Sequence, residues 1–153
     1  MADAWVDDVE SKIAAFAAAY GTTYAKSERE ISASFEIGSF HALLGFYRKS
    51  CKVHPENLTT AKEYRYLTTP SGNPAKFSYV VLDHPSGRYE LRQQVRIQSH
   101  LDPDIAFTPD LVVLEAAAPI STARDPDYAG GKRGFYQVQS RYVVAAHECK
   151  SMN

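Results

Sequence analysis

The chain has 153 residues, with 17 Lys and Arg against 18 Asp and Glu and a formal net charge of -1. Apolar residues make up 44% and charged residues 23%, with ten Tyr and seven Phe. This suits one globular domain with a real core, and it excludes a disordered chain, a strongly basic nucleic-acid coat protein and an acidic tail protein. Two cysteines, Cys51 and Cys149, exclude a disulfide-rich scaffold. No apolar run approaches the ~20 residues that span a bilayer, so no membrane partner is expected. Met1-Ala2-Asp3-Ala4-Trp5 lacks the basic start and apolar stretch of a secretory signal. The expectation is a reduced, cytoplasmic protein.

In chain order, Trp5, Val9, Ile13, Phe16 and Tyr20 recur at helical spacing, and Gly21 follows as a stop. Ser27-Glu28-Arg29-Glu30 fits a capping box, opening a second helix from about Glu28 to Ser50. Cys51 to Ala61, with Pro55 and Asn57, reads as a loop or a short helical turn. The period then changes. Glu63–Thr69 and Phe77–Asp83 read as strands, and His84-Pro85-Ser86-Gly87 as a tight turn. Arg88–Ser99 alternates, with Tyr89, Leu91, Gln93, Val95 and Ile97 on one face and Arg88, Arg92 and Arg96 on the other. Leu101-Asp102-Pro103-Asp104 breaks the pattern. Asp110-Leu111-Val112-Val113-Leu114 is a short apolar strand led by Pro109. The segment 116–134, with Pro119, Pro126 and Gly130-Gly131, reads as an insertion. Phe135–Cys149 returns as a strand bent near Ser140. The expected fold class is α+β, with N-terminal helices on a mixed, mainly antiparallel sheet. One domain is expected over 1–153, with 1–27 as a helical extension and 28–153 as the core.

Charge is uneven along the chain. Residues 1–44 carry a net -4, residues 45–100 a net +5 and residues 101–153 a net -2. A basic middle between acidic ends can steer a polyanion to one face, and it equally fits scattered solvated Lys and Arg. The Arg88, Arg92 and Arg96 face is open to the same two readings, a phosphate track or an exposed sheet face.

Two segments carry the chemistry. One is Thr108-Pro109-Asp110 leading into Leu111–Leu114; the other is Tyr142–Lys150, ending in Glu148-Cys149-Lys150. Strand alternation sends Glu148 and Lys150 to one side. If the two strands are neighbours, two carboxylates and an ammonium meet at their ends. Magnesium takes hard oxygen ligands, usually one or two carboxylates plus waters and a substrate phosphate. Asp110 and Glu148 supply carboxylates, and the backbone carbonyl of Cys149 supplies a third oxygen. Lys150 is suited to orienting a metal-bound water and stabilising developing charge. Glu36 falls between Phe40, Leu43 and Tyr47 on the apolar side of the second helix, where a carboxylate is costly unless compensated. A metal site would compensate it, and so would a buried Arg or Lys.

Asp110, Glu148 and Lys150, preceded by an acidic helix, resemble the PD-(D/E)xK nuclease superfamily, the restriction-endonuclease-like fold. The resemblance spans about residues 28–150 in element order, while only the motif residues are specific. It implies Mg²⁺-dependent hydrolysis of phosphodiester bonds, mostly in DNA, with Mn²⁺ able to substitute. By the same resemblance Asp110 and Glu148 bind metal, Lys150 assists the water, and Glu36 matches a helical Glu that joins the metal shell in several members. Two departures stand out. Asp110 and Glu148 are separated by 37 residues, which makes 116–134 an insertion. The family core also continues past the Lys with a helix and a strand, so the expected core is truncated and a homodimer or a further C-terminal domain is expected to complete it. The alternative expectation is a non-catalytic nucleic-acid- or protein-binding module built on an inactive version of the same fold.

Weaker signals stand beside these. Cys51-x-x-His54 and His147-x-Cys149 have zinc-ligand spacing, but a buried structural Cys explains them more simply. His41 and His84 read as surface residues, and His100 as a residue near the site. Asp102 and Asp104 are second-choice ligands in a turn where Asp is expected anyway. Tyr64, Tyr66, Tyr79 and Tyr89 read as packing residues. Gly130-Gly131-Lys132-Arg133-Gly134 lacks the spacing of a phosphate loop.

Overall fold

The structure is a computed structural model, and it describes residues 7–8, 11–15, 18, 28–70, 72–124 and 134–150. Trp5, Val9, Phe16, Tyr20, Gly21, Ser27 and residues 130–133 of the glycine-rich run lie outside the described residues. The fold class is α+β, with mostly antiparallel sheets. Contacts divide the chain into two compact units, one formed by residues 1–50 and 149–153 and the other by residues 51–148.

In the first unit, residues 7–8, 11–15 and 18 are helical, and α1 runs over Glu28–Tyr47. Its apolar residues Ile37, Phe40, Ala42, Leu43 and Leu44 are buried. They recur at three- and four-residue spacing, which is why this segment holds one helix face out of water. The helix stops three residues short of the expected Ser50, because Arg48, Lys49 and Ser50 close it with turn hydrogen bonds.

Among the described residues the second unit holds nine strands: β1 Lys52–Glu56, β2 Tyr79–His84, β3 Gly87–Gln93, β4 Arg96–Gln98, β5 Ala106–Phe107, β6 Leu111–Glu115, β7 Ser121–Arg124, β8 Gly134–Gln139 and β9 Val143–His147. They form a five-stranded sheet in the order β1-β2-β3-β6-β9 and a four-stranded sheet in the order β5-β4-β8-β7. The first sheet is antiparallel throughout; in the second, β4 and β8 run parallel. Val95, Ile97, Val112, Leu114 and Val138 pack as one cluster between the sheets. Leu111 to Leu114 are all buried, as expected of an inner strand with both faces covered.

Four expectations are corrected. Cys51–Ala61 is not a loop or helical turn throughout: β1 lies in it, with Pro55 opposite Val80. Pro is tolerated because β1 pairs on one side only among the described strands, so its missing N–H breaks no ladder bond. Glu63–Thr69, expected as a strand, forms none. Side chains take over its backbone groups: Arg65 N donates to Ser78 Oγ at 2.8 Å, and Leu67 N donates to Gln93 Oε1 at 3.2 Å. Arg88–Ser99 is two strands, not one. At Gln94 the backbone turns left-handed (φ 50°), and the chain leaves one sheet for the other. Finally, the segment 116–134 contains β7, paired antiparallel with β8, so part of the expected insertion builds the second sheet. The bend expected near Ser140 is a 3-10 turn, Ser140–Tyr142, where β8 hands over to β9 in the other sheet.

Candidate functional site

The Pro-Asp and Glu-x-Lys segments end up on neighbouring strands. β6 pairs antiparallel with β9, with Leu111 opposite His147 and Val112 opposite Ala146. One step beyond Leu111 stands Asp110; one step beyond His147 stands Glu148. Continuing the register by that step sets the two acids opposite each other at the same end of the pair. Directly opposed residues share a sheet face, with Cβ atoms about 4.5–5.5 Å apart. Exposure along β9 alternates from Val143 to His147, and the alternation continues through Glu148, Cys149 and Lys150, so the extended course outlasts the ladder.

On its other side β6 pairs with β3, with Leu111 opposite Gln93. One step beyond Gln93 is Gln94, and it is bonded to Asp110 twice. Gln94 N donates to Asp110 O at 3.1 Å, and Gln94 Nε2 donates to Asp110 Oδ1 at 3.1 Å. Gln94, Asp110 and Glu148 therefore form a row across the ends of three adjacent strands. Asp110 is half-buried and Glu148 exposed. Asp110 lies on the face of β6 that carries Val112 and Leu114, the face packed between the sheets.

Glu36 belongs to the other unit, on α1. It is half-buried, one turn before the fully buried Phe40, and Ser32 Oγ lies 3.4 Å from its Oε1. Lys150 is exposed and Cys149 half-buried and outside any disulfide; both follow β9 and fall in the same unit as α1. The β6–β9 register thus brings Asp110 and Glu148 to the same end of one strand pair. The structure gives Glu36, Cys149 and Lys150 their own local surroundings without joining them to that pair.

Among the described residues no three His, Cys, Asp or Glu side chains gather as a metal-binding group. Two carboxylates, a backbone carbonyl and waters make a different donor set, all hard oxygen, which fits Mg²⁺ or Mn²⁺ and does not fit zinc.

The other candidates have local roles. His54 Nε2 lies 3.1 Å from Asp83 Oδ2 at the sheet edge. His100 Nδ1 is bonded to Ser140 Oγ at 2.8 Å, and the His100 backbone N–H donates to the same oxygen at 3.1 Å, so it staples the turn before β9. Asp102 Oδ1 accepts from Asp104 N at 2.9 Å, the turn chemistry expected of it. The arginine row is not a continuous phosphate track. Arg88 pairs with Asp83 at 3.2 Å, while Arg92 pairs with Glu90 at 2.7 Å and covers the Tyr79 ring at 3.7 Å. Arg96 is half-buried in the other sheet. His41, expected at the surface, is half-buried; burial holds its pKa below the usual value, and Arg48 adds to this. Burial also lowers the pKa of His147, whose Nε2 is sealed from solvent with no hydrogen-bond partner among the described residues.

Sequence reasoning missed Gln94, because a left-handed residue without glycine leaves no mark in an alternating run. It did carry one readable signal. Gln93 is a polar residue in the apolar register of Tyr89, Leu91, Val95 and Ile97, and its buried Oε1 is the acceptor that holds Leu67.

No family model, no curated protein and no solved structure matches this chain. Among the described residues, no helix is long and apolar enough to cross a membrane.

Proposed function

We propose that the chain is a metal-dependent nuclease that hydrolyses phosphodiester bonds, with DNA as its substrate class and Asp110 and Glu148 as its cation ligands. The observation that supports this best is the β6–β9 register, which ends at Leu111 opposite His147, one residue short of Asp110 on one strand and of Glu148 on the other. Two carboxylates so placed repel, and a hard divalent cation turns that repulsion into binding. A Mg²⁺ ion held there supplies Lewis acidity towards the phosphate and lowers the pKa of a bound water. The Cys149 carbonyl adds a neutral oxygen. A further role comes from the sequence pattern. The Lys150 ammonium would donate hydrogen bonds to the attacking water and to a non-bridging phosphate oxygen. A pentavalent phosphorane-like arrangement gains charge on those oxygens, so the ammonium binds it more strongly than the ground state.

The test is cleavage of linear and supercoiled DNA with Mg²⁺ or Mn²⁺. Cleavage is expected to stop in EDTA and to be lost in Asp110→Asn, Glu148→Gln and Lys150→Ala proteins whose circular dichroism is unchanged. Undiminished cleavage by purified Lys150→Ala protein sinks the assignment. Mn²⁺ uptake that depends on Glu148, without cleavage of any DNA or RNA, favours the non-catalytic binding module instead.

A further inference from the structure

Gln94 occupies an expensive position. Its φ of 50° is left-handed, which costs a residue with a Cβ roughly 1 kcal/mol or more and which Gly or Asn accepts more readily. It is only 6% exposed, so its amide has also been taken out of water. The conformation alone therefore does not account for glutamine at this position. What the glutamine side chain adds is the 3.1 Å bond from Nε2 to Asp110 Oδ1, beside the 3.1 Å bond between the two backbones. The backbone bond fixes where β6 begins. The side-chain bond fixes how the carboxylate is rotated about its own axis. A neutral amide orients the carboxylate without cancelling its charge.

We propose that Gln94 is a positioning residue that sets the rotation of the Asp110 carboxylate for binding a divalent cation. The inference rests on the metal-site reading above. Residues that orient a metal ligand through a hydrogen bond typically change metal affinity by about 10- to 100-fold when removed.

The experiment measures Mn²⁺ affinity by electron paramagnetic resonance titration of free Mn²⁺, alongside the thermal midpoint of the metal-free protein. The proteins are wild type, Glu148→Gln, Gln94→Asn and Gln94→Gly. Asn keeps an amide and tolerates the left-handed backbone, but it is one methylene too short to reach Oδ1 in the same pose. The expected result is a midpoint for Gln94→Asn within a few degrees of wild type and a Mn²⁺ Kd raised about tenfold. Gln94→Gly, with its backbone cost relieved, is expected to show the same loss of affinity. A variant that binds Mn²⁺ within twofold of wild type overturns the positioning role while leaving the metal site standing. Wild type that takes up no Mn²⁺, or takes it up equally in Glu148→Gln, overturns the metal site and this inference with it.

Discussion

Asp83 and Asp110 belong to the same five-stranded sheet and meet opposite fates. Asp83 sits at the β2–β3 hairpin end with His54 3.1 Å from one oxygen and Arg88 3.2 Å from the other. It is an ordinary exposed ion-pair cluster of the kind worth about 0–1 kcal/mol. Asp110 sits where β6 begins, held by the Gln94 amide on one side and facing the Glu148 position on the other. At the first end two basic side chains come to an acid. At the second, two acids stand one residue beyond the last pair of the β6–β9 ladder.

The comparison breaks most directly by neutralising one acid at a time. Asp110→Asn and Glu148→Gln are each expected to lower Mg²⁺-dependent cleavage by at least about 100-fold, since each removes a charged ligand and the electrostatic stabilisation that depends on it. Asp83→Asn is expected to leave cleavage within twofold of wild type. A cleavage assay of the three proteins side by side reads the result, and equal losses at Asp83 and Asp110 would erase the distinction.

Stability separates the same two ends. Leu114, fully buried between the sheets, lies on the β6 face that carries Asp110. Leu114→Ala is expected to cost about 2–5 kcal/mol in urea unfolding, by lost burial and a cavity. Arg88→Ala removes only an exposed ion pair and is expected to cost less than about 1 kcal/mol. If the two variants unfold at the same urea concentration, the inter-sheet cluster is not the core of this unit.

What the sequence made legible follows from what each element depends on. β6 and β9 were readable because a continuous apolar run that ends in an acid is hard to build into anything but a strand end. The bend at Ser140 was readable from local chemistry, although not that it marks a change of sheet. β1 was hidden by Pro55, which looks like a breaker until one knows that its strand lies at an edge. Glu63–Thr69 was misleading for the opposite reason. Tyr64, Tyr66 and the charges between them imitate strand alternation, while the backbone there is held by Ser78 and Gln93 from elsewhere in the chain. The same limit applies to the site. Asp110, Glu148 and Lys150 share a recognisable spacing, whereas the contribution of Gln94 depends on a backbone reversal that no residue type announces. Glu36 was found as an acid on an apolar helix face, and its half-buried position matches that pattern.

The smallest expected effect concerns His147, whose side chain takes the opposite face from Glu148. Burial lowers its pKa from the ordinary 6.5, so the folded protein holds it neutral where the unfolded chain takes up a proton. The unfolded state then binds more protons, and stability falls as pH drops below about 6.5 towards the folded pKa. Above that range the contribution is fully present. His41 is shifted in the same direction by burial and Arg48, so it steepens the same slope. Thermal midpoints taken from about pH 7.5 to about pH 5.5 are expected to decline in wild type and to decline less in His147→Leu, because the variant has no imidazole to protonate in a sealed position. An unchanged slope in that variant would assign the acid sensitivity to α1 and His41 instead.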